Sequence, residues 1–208
     1  MSNTLSPVLG GSLDLDHLSP KSLGRVSGRT SRGEYGPEAW ADDVLESVPA
    51  NPELALGHSL GGLVLAVAVE RMRPARAVYE DPAWRARPER QAQAAQDFMA
   101  QKTWGRDQIA AAYPRWSADD IDAKLAALRC FDPEAAPSLP TGRAWDYTPA
   151  RPVVPSLVQL ADPSDLVPPD DAQRLRHAGF EVRVAAGAGH SIHRDDYEGF
   201  VASLDGWL

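Results

Sequence analysis

The sequence predicts an α/β fold: a mostly parallel central sheet flanked by helices, with a helical segment inserted into it. Two observations carry this expectation. From residue 54 onward, short apolar strands alternate with helical segments, an order that builds parallel sheets with helices on both faces. Between two of those strands, residues 84–148 change character and become helix-prone. The expected division is a core of residues 1–83 and 149–208 with an insertion at 84–148.

Each element has a local reason. Pro37 to Val48 reads as a helix, with proline in its first turn, acids in its N-terminal half and Trp40, Val44 and Val48 on one face. Pro49 and Pro52 end it. Leu54-Ala55-Leu56 is a strand, and Leu63 to Val69 is apolar all round, as a buried helix should be. Arg71, Arg73 and Pro74 close that helix, and Ala75 to Tyr79 is the next strand, stopped by Asp81-Pro82. The insertion is rich in Ala, Arg, Gln and Asp, with Trp84, Trp104, Trp116 and Trp145 spaced through it; Ser117-Ala118-Asp119-Asp120 starts a helix there. Ser156 to Leu160 is a strand, Asp170 to His177 a helix and Glu181 to Ala185 the last strand. Asp195 to Leu208 is expected as one terminal helix with Tyr197, Phe200, Val201 and Leu204 on one side. Residues 1 to about 35 hold no period.

Bulk properties narrow the function. A formal net charge of -8 excludes the basic face of a nucleic-acid binder. The single cysteine, Cys130, rules out an internal disulfide and fits a reducing compartment. Met1 to Pro7 has neither a cationic start nor an apolar run, and Leu63 to Val69 is too short to span a bilayer. The expectation is a soluble cytoplasmic protein with no membrane partner.

Between the strand at 54 and the helix at 63 lies Gly57-His58-Ser59-Leu60-Gly61-Gly62. A serine hydroxyl attacks poorly unless a base removes its proton and a donor holds the resulting oxyanion. A sharp strand-to-helix turn supplies part of both. It pushes the hydroxyl out of the sheet and aims the next backbone N–H at the developing charge. Ser59 is thus the candidate nucleophile and Leu60 the candidate oxyanion donor. Gly57 and Gly61 are the small residues such a turn needs, and Gly62 adds room. No Lys follows the second glycine, so a phosphate loop is excluded.

Gly-His-Ser-Leu-Gly-Gly resembles the nucleophile elbow of the α/β-hydrolase superfamily, and Gly187-Ala188-Gly189-His190-Ser191-Ile192-His193 resembles its histidine loop. The resemblance spans roughly residues 35 to 208 and implies a Ser–acid–His triad with His190 as general base, His193 being its rival. The acid is expected after the strand ending near Leu160. There Ser164 stands where the family commonly has its acid, a departure. Asp162 is preferred over Asp165 because relatives with an Ala/Gly-Asp-Pro run, here Ala161-Asp162-Pro163, use the first Asp, and Asp81 is a third candidate. The insertion resembles a helical lid whose Trp and Tyr residues line an apolar or aromatic pocket or glue the lid to the body.

The family's second oxyanion N–H usually comes from a His-Gly-type loop near the N-terminus. Gly10-Gly11 is the nearest candidate, and Arg25 to Tyr35 faintly resembles the segment that precedes the first helix. This part of the chain reads as shortened or rewritten, with an exposed sheet edge as the consequence. The function expected is a serine hydrolase acting on an ester or similar acyl substrate with an apolar or aromatic portion. It needs no cofactor or metal, since no cluster has ligand spacing. A catalytically weak ligand-binding relative is the alternative, and a cofactor-free oxidative or C–C-cleaving enzyme is a third.

Overall fold

A computed structural model describes residues 36–86, 88–130 and 145–208. Helix α1 (Pro37–Ser47) starts on a proline at its first turn and ends at Val48, which is extended. Strand β1 (Leu54–His58) runs into helix α2 (Leu60–Met72), whose left-handed cap is Arg73 at φ 52°. Strand β2 (Arg76–Glu80) follows, and then the insertion: strand β3 (Arg85–Ala86) and helices α3 (Pro88–Gln101), α4 (Arg106–Ala112) and α5 (Ala118–Cys130). Strands β4 (Trp145–Asp146) and β5 (Ser156–Leu160), helix α6 (Pro169–His177) and strand β6 (Glu181–Val184) lead to two short helices, α7 (Ile192–Asp195) and α8 (Tyr197–Ala202).

The main sheet has the order β1-β2-β5-β6 with every pair parallel, so its strands need covering on both faces. Every residue of β5 is buried, Ser156 and Gln159 included. One face packs on α1, α2 and α6 through Trp40, Val44, Leu63, Leu65, Ala172 and Leu175. Val78 and Leu157 point to the other face, against Leu204 and Trp207 of the C-terminal segment. Among the described residues β1 is an edge of this sheet; residues 1–35, with Gly10, Gly11 and the segment 25–35, lie outside them.

The terminal helix is shorter than the sequence suggests. Asp196 (φ -152°, ψ 79°) breaks it, and its carboxylate caps α8 by accepting the Gly199 N–H. The expected face is split as well: Leu204 is buried, while Tyr197 and Val201 are exposed.

The insertion leaves the core between β3 and β4, which pair antiparallel, Arg85 opposite Asp146 and Ala86 opposite Trp145. Arg85 bridges Asp146 and the buried Asp171 of α6, tying this neck to the body. The helices carry a small core of their own, with Ile109, Trp116, Ile121 and Leu128 buried and Trp104 and Tyr113 packed against them. Trp84 instead belongs to the main core, edge-on to Tyr79. Aromatic residues of this segment are thus engaged in packing. Among the described residues no helix is long and apolar enough to cross a membrane.

Candidate active site

Parallel strands β1 and β2 are in register, His58 opposite Glu80. Each chain leaves the sheet one residue later, at Ser59 and at Asp81, and both residues take positive φ, 53° and 38°. Such backbone is costly for a residue with a Cβ and persists where neighbours hold it. The holding contacts are visible. The Ser59 N–H donates to the Glu80 carbonyl at 2.9 Å, and its own carbonyl accepts from Gly62 and Ala83. A Cβ on Gly57 would lie 2.5 Å from the Gly61 carbonyl oxygen, and one on Gly62 would lie 2.8 Å from the Pro82 ring. The turn therefore needs glycine at 57 and at 62, the latter to admit Pro82. Trp84 closes the arrangement, its indole N–H donating to the Gly62 carbonyl at 3.0 Å.

Ser59 Oγ lies 2.8 Å from His190 Nε2, and His190 Nδ1 lies 2.6 Å from Asp81 Oδ2. A carboxylate accepts only, so Nδ1 carries the proton and Nε2 is left to accept from the serine hydroxyl. The Asp81 side chain is 1% exposed. Its other oxygen, Oδ1, accepts from the Ser164 hydroxyl at 2.6 Å and from the Ala161 N–H at 3.4 Å. Ser164 is itself fixed, because its Oγ accepts the Val167 N–H at 2.9 Å. Leu60 is the first residue of α2, so its N–H has no acceptor within the helix and sits at the positive end of the helix dipole.

The structure places Asp81, the third candidate, at the imidazole in place of the preferred Asp162. Asp162 is exposed and does not hold the imidazole; its Oδ2 accepts the Gly187 N–H at 3.1 Å and its N–H donates to the Ala188 carbonyl, so it anchors the histidine loop from outside. Asp165 lies exposed in the same loop. The carboxylate that meets the imidazole stands at the end of β2, beside β1, and Ser164 steadies it.

Three further residues crowd the site. The His58 ring lies 4.6 Å from that of His190 and 5.3 Å from that of His193. His58 Nε2 reaches the His190 carbonyl at 2.9 Å, which makes that nitrogen the protonated one. His193 is held by Glu80, a buried carboxylate that sequence reading passed over entirely.

The insertion touches the histidine loop at one corner. The Arg115 guanidinium donates to the Gly187 carbonyl, and the Trp116 indole N–H to Asp195 at 3.0 Å. Arg194 lies over the Trp116 ring at 4.7 Å.

Comparison with known proteins agrees with this architecture. No curated protein matches the chain. Among solved structures, an esterase from Exiguobacterium antarcticum aligns with a TM-score of 0.63 at 14% identity, covering 83% of this chain and 74% of its own. A thermophilic esterase from Thermogutta terrifontis aligns with a TM-score of 0.59 at 22% identity, covering 86% and 74%. An E-2-(acetamidomethylene)succinate hydrolase aligns with a TM-score of 0.60 at 18% identity, covering 85% and 75%. At these identities the likeness is one of fold. Residues 6–203 match the alpha/beta hydrolase family, and the chain belongs to it.

Proposed function

We propose that this protein is a serine hydrolase acting on an ester or a similarly activated acyl carbon. One observation carries the reading: the continuous chain of hydrogen bonds from Ser59 Oγ through His190 to the buried Asp81, at 2.8 and 2.6 Å. In this mechanism His190 Nε2 takes the serine proton as Oγ attacks the acyl carbon. Asp81 stabilises the imidazolium that forms and keeps it facing Ser59. The Leu60 N–H binds the oxyanion. His190 then returns the proton to the leaving oxygen, and a water activated by the same imidazole releases the acyl group. The insertion, joined at a narrow β3–β4 neck and leaning on the histidine loop, acts as the lid over the acyl site.

The test is covalent labelling with a fluorophosphonate probe. Ser59 of the folded protein is expected to be modified, and Ser59→Ala to remain unlabelled while keeping its fold. Absence of labelling, together with saturable binding of a small apolar ligand, would move the protein to the non-catalytic reading.

A further inference from the structure

We infer that Glu80 and His193 form a second acid–histidine pair whose task is to position His190. The inference deepens the hydrolase reading and rests on it. Its starting point is an acid without a catalytic role. Glu80 ends a strand that is otherwise buried and largely apolar, and its side chain is 1% exposed. A buried carboxylate weakens the fold unless its oxygens are occupied, and an apolar residue of similar size serves a sheet interior at least as well. Here they are occupied by one residue. Glu80 Oε1 accepts both the backbone N–H of His193 at 3.0 Å and its ring Nδ1–H at 2.8 Å, and Oε2 lies 3.0 Å from the same nitrogen. Main chain and side chain of His193 are thus fastened to the end of β2 together.

The consequence falls on His190, three residues earlier. Its side chain is 45% exposed and follows two glycine-containing steps, Gly187 and Gly189. Asp81 fixes the direction of the ring, but a single hydrogen bond does not fix the backbone that carries it. Upstream, Asp162 and Arg115 hold Gly187. Downstream, the Glu80–His193 pair holds the first turn of α7. His58 links the two sides, bonded to the His190 carbonyl and packed edge-on to His193. Adjacent residues at the end of β2 therefore serve two histidines: Asp81 orients the base and Glu80 anchors the turn that follows it. Neither Glu80 nor His193 touches the reacting atoms, so both are positioning residues.

Removing the pair together avoids stranding a buried charge and leaves only the residue 193 N–H without its acceptor, so the double variant Glu80→Leu/His193→Leu is expected to fold with a melting temperature lowered by a few degrees. Its Ser59 labelling rate and its kcat on a short acyl ester should fall roughly 10–100-fold, the effect of a small misplacement of a reacting group, with KM shifted by less than about threefold. His193→Asn keeps an N–H donor near the Nδ1 position and should recover at least about tenfold over His193→Leu. A readout independent of turnover is the downfield proton resonance of His190 Nδ1, assigned by its loss in Asp81→Asn; it should broaden or vanish in the double variant. Labelling of the double variant at the parental rate, or an unchanged His190 resonance, overturns the inference. Failure of the parent protein to label would sink the hydrolase reading instead, and the resonance then decides whether the pair still positions His190.

Discussion

Asp81→Asn is the substitution with the sharpest expected outcome. The two oxygens of Asp81 face different partners, and both sides present donors. Oδ1 receives the Ser164 hydroxyl and the Ala161 N–H, while Oδ2 receives His190 Nδ1–H. An asparagine has one oxygen, so its NH₂ must face one of the two groups. Ser164 Oγ already accepts from Val167 and Leu166, which commits its own hydrogen to residue 81. The amide therefore keeps its oxygen toward Ser164 and Ala161 and turns its NH₂ to His190. That drives the imidazole proton from Nδ1 to Nε2, where it faces the serine and can no longer accept. The same change in the well-studied serine proteases lowers kcat about 10⁴-fold, equivalent to about 5 kcal/mol of transition-state stabilisation. The assay is hydrolysis of a short-chain p-nitrophenyl ester, with fluorophosphonate labelling alongside. Asp162→Asn is the control, because its amide oxygen can still accept the Gly187 N–H, and less than about threefold loss is expected there. A fall of three or more decades in Asp162→Asn with near-parental activity in Asp81→Asn would refute the assignment.

Gly57→Ala should destabilise by about 1–3 kcal/mol, since its methyl would meet the Gly61 carbonyl at 2.5 Å, and urea unfolding reads the loss; a midpoint equal to the parent's would show that the elbow can open. Burial pushes the Tyr79 phenol far above its ordinary value, with a smaller opposing effect from its hydrogen bond to Ser156. Below a pH of about 10 both folded and unfolded chains keep that proton and the stability is fully present; above it the unfolded chain ionises first and stability falls by up to about 1.4 kcal/mol per pH unit. Tyr79→Phe should flatten that alkaline decline by about one proton's worth, measured by denaturant unfolding across the alkaline range; an unchanged slope contradicts it. Trp116→Phe deletes the indole bond to Asp195, about 1 kcal/mol, and should speed amide hydrogen exchange in residues 187–195. Unaltered exchange there would mean that the insertion and the histidine loop are not mechanically joined.

Much of this was legible before any coordinates. The strands at 54, 76 and 156 announce themselves as short, mainly apolar runs between prolines and glycines, and the strand at 181 by its alternation of charged and apolar residues. The candidates Ser59, Leu60 and His190 are picked out by local chemistry, since an elbow and a glycine-flanked histidine are properties of a few consecutive residues, and the structure brings Ser59 and His190 together. The acid is different. Asp81, Asp162 and Asp165 all stand after strands, and choosing among them requires knowing that β2 lies beside β1 while the loop after β5 meets the outer side of the histidine loop. That is a fact of topology and not of spacing. Glu80 was invisible for a related reason: its partner lies 113 residues away. The terminal helix failed locally, because Asp196 prefers to cap the next turn over continuing the last one.

The placement of the acid has a consequence for the protein's making. The proposed nucleophile, oxyanion amide and acid, with the glycines that shape the turn, all fall within residues 57–81, from the end of β1 through α2 and β2. The proposed base, His190, lies more than a hundred residues later, in the loop that follows β6. On the proposed mechanism, a growing chain carries an unactivated serine until His190 has been made. On that mechanism its chemistry waits for the histidine loop to reach Asp81 and Ser59.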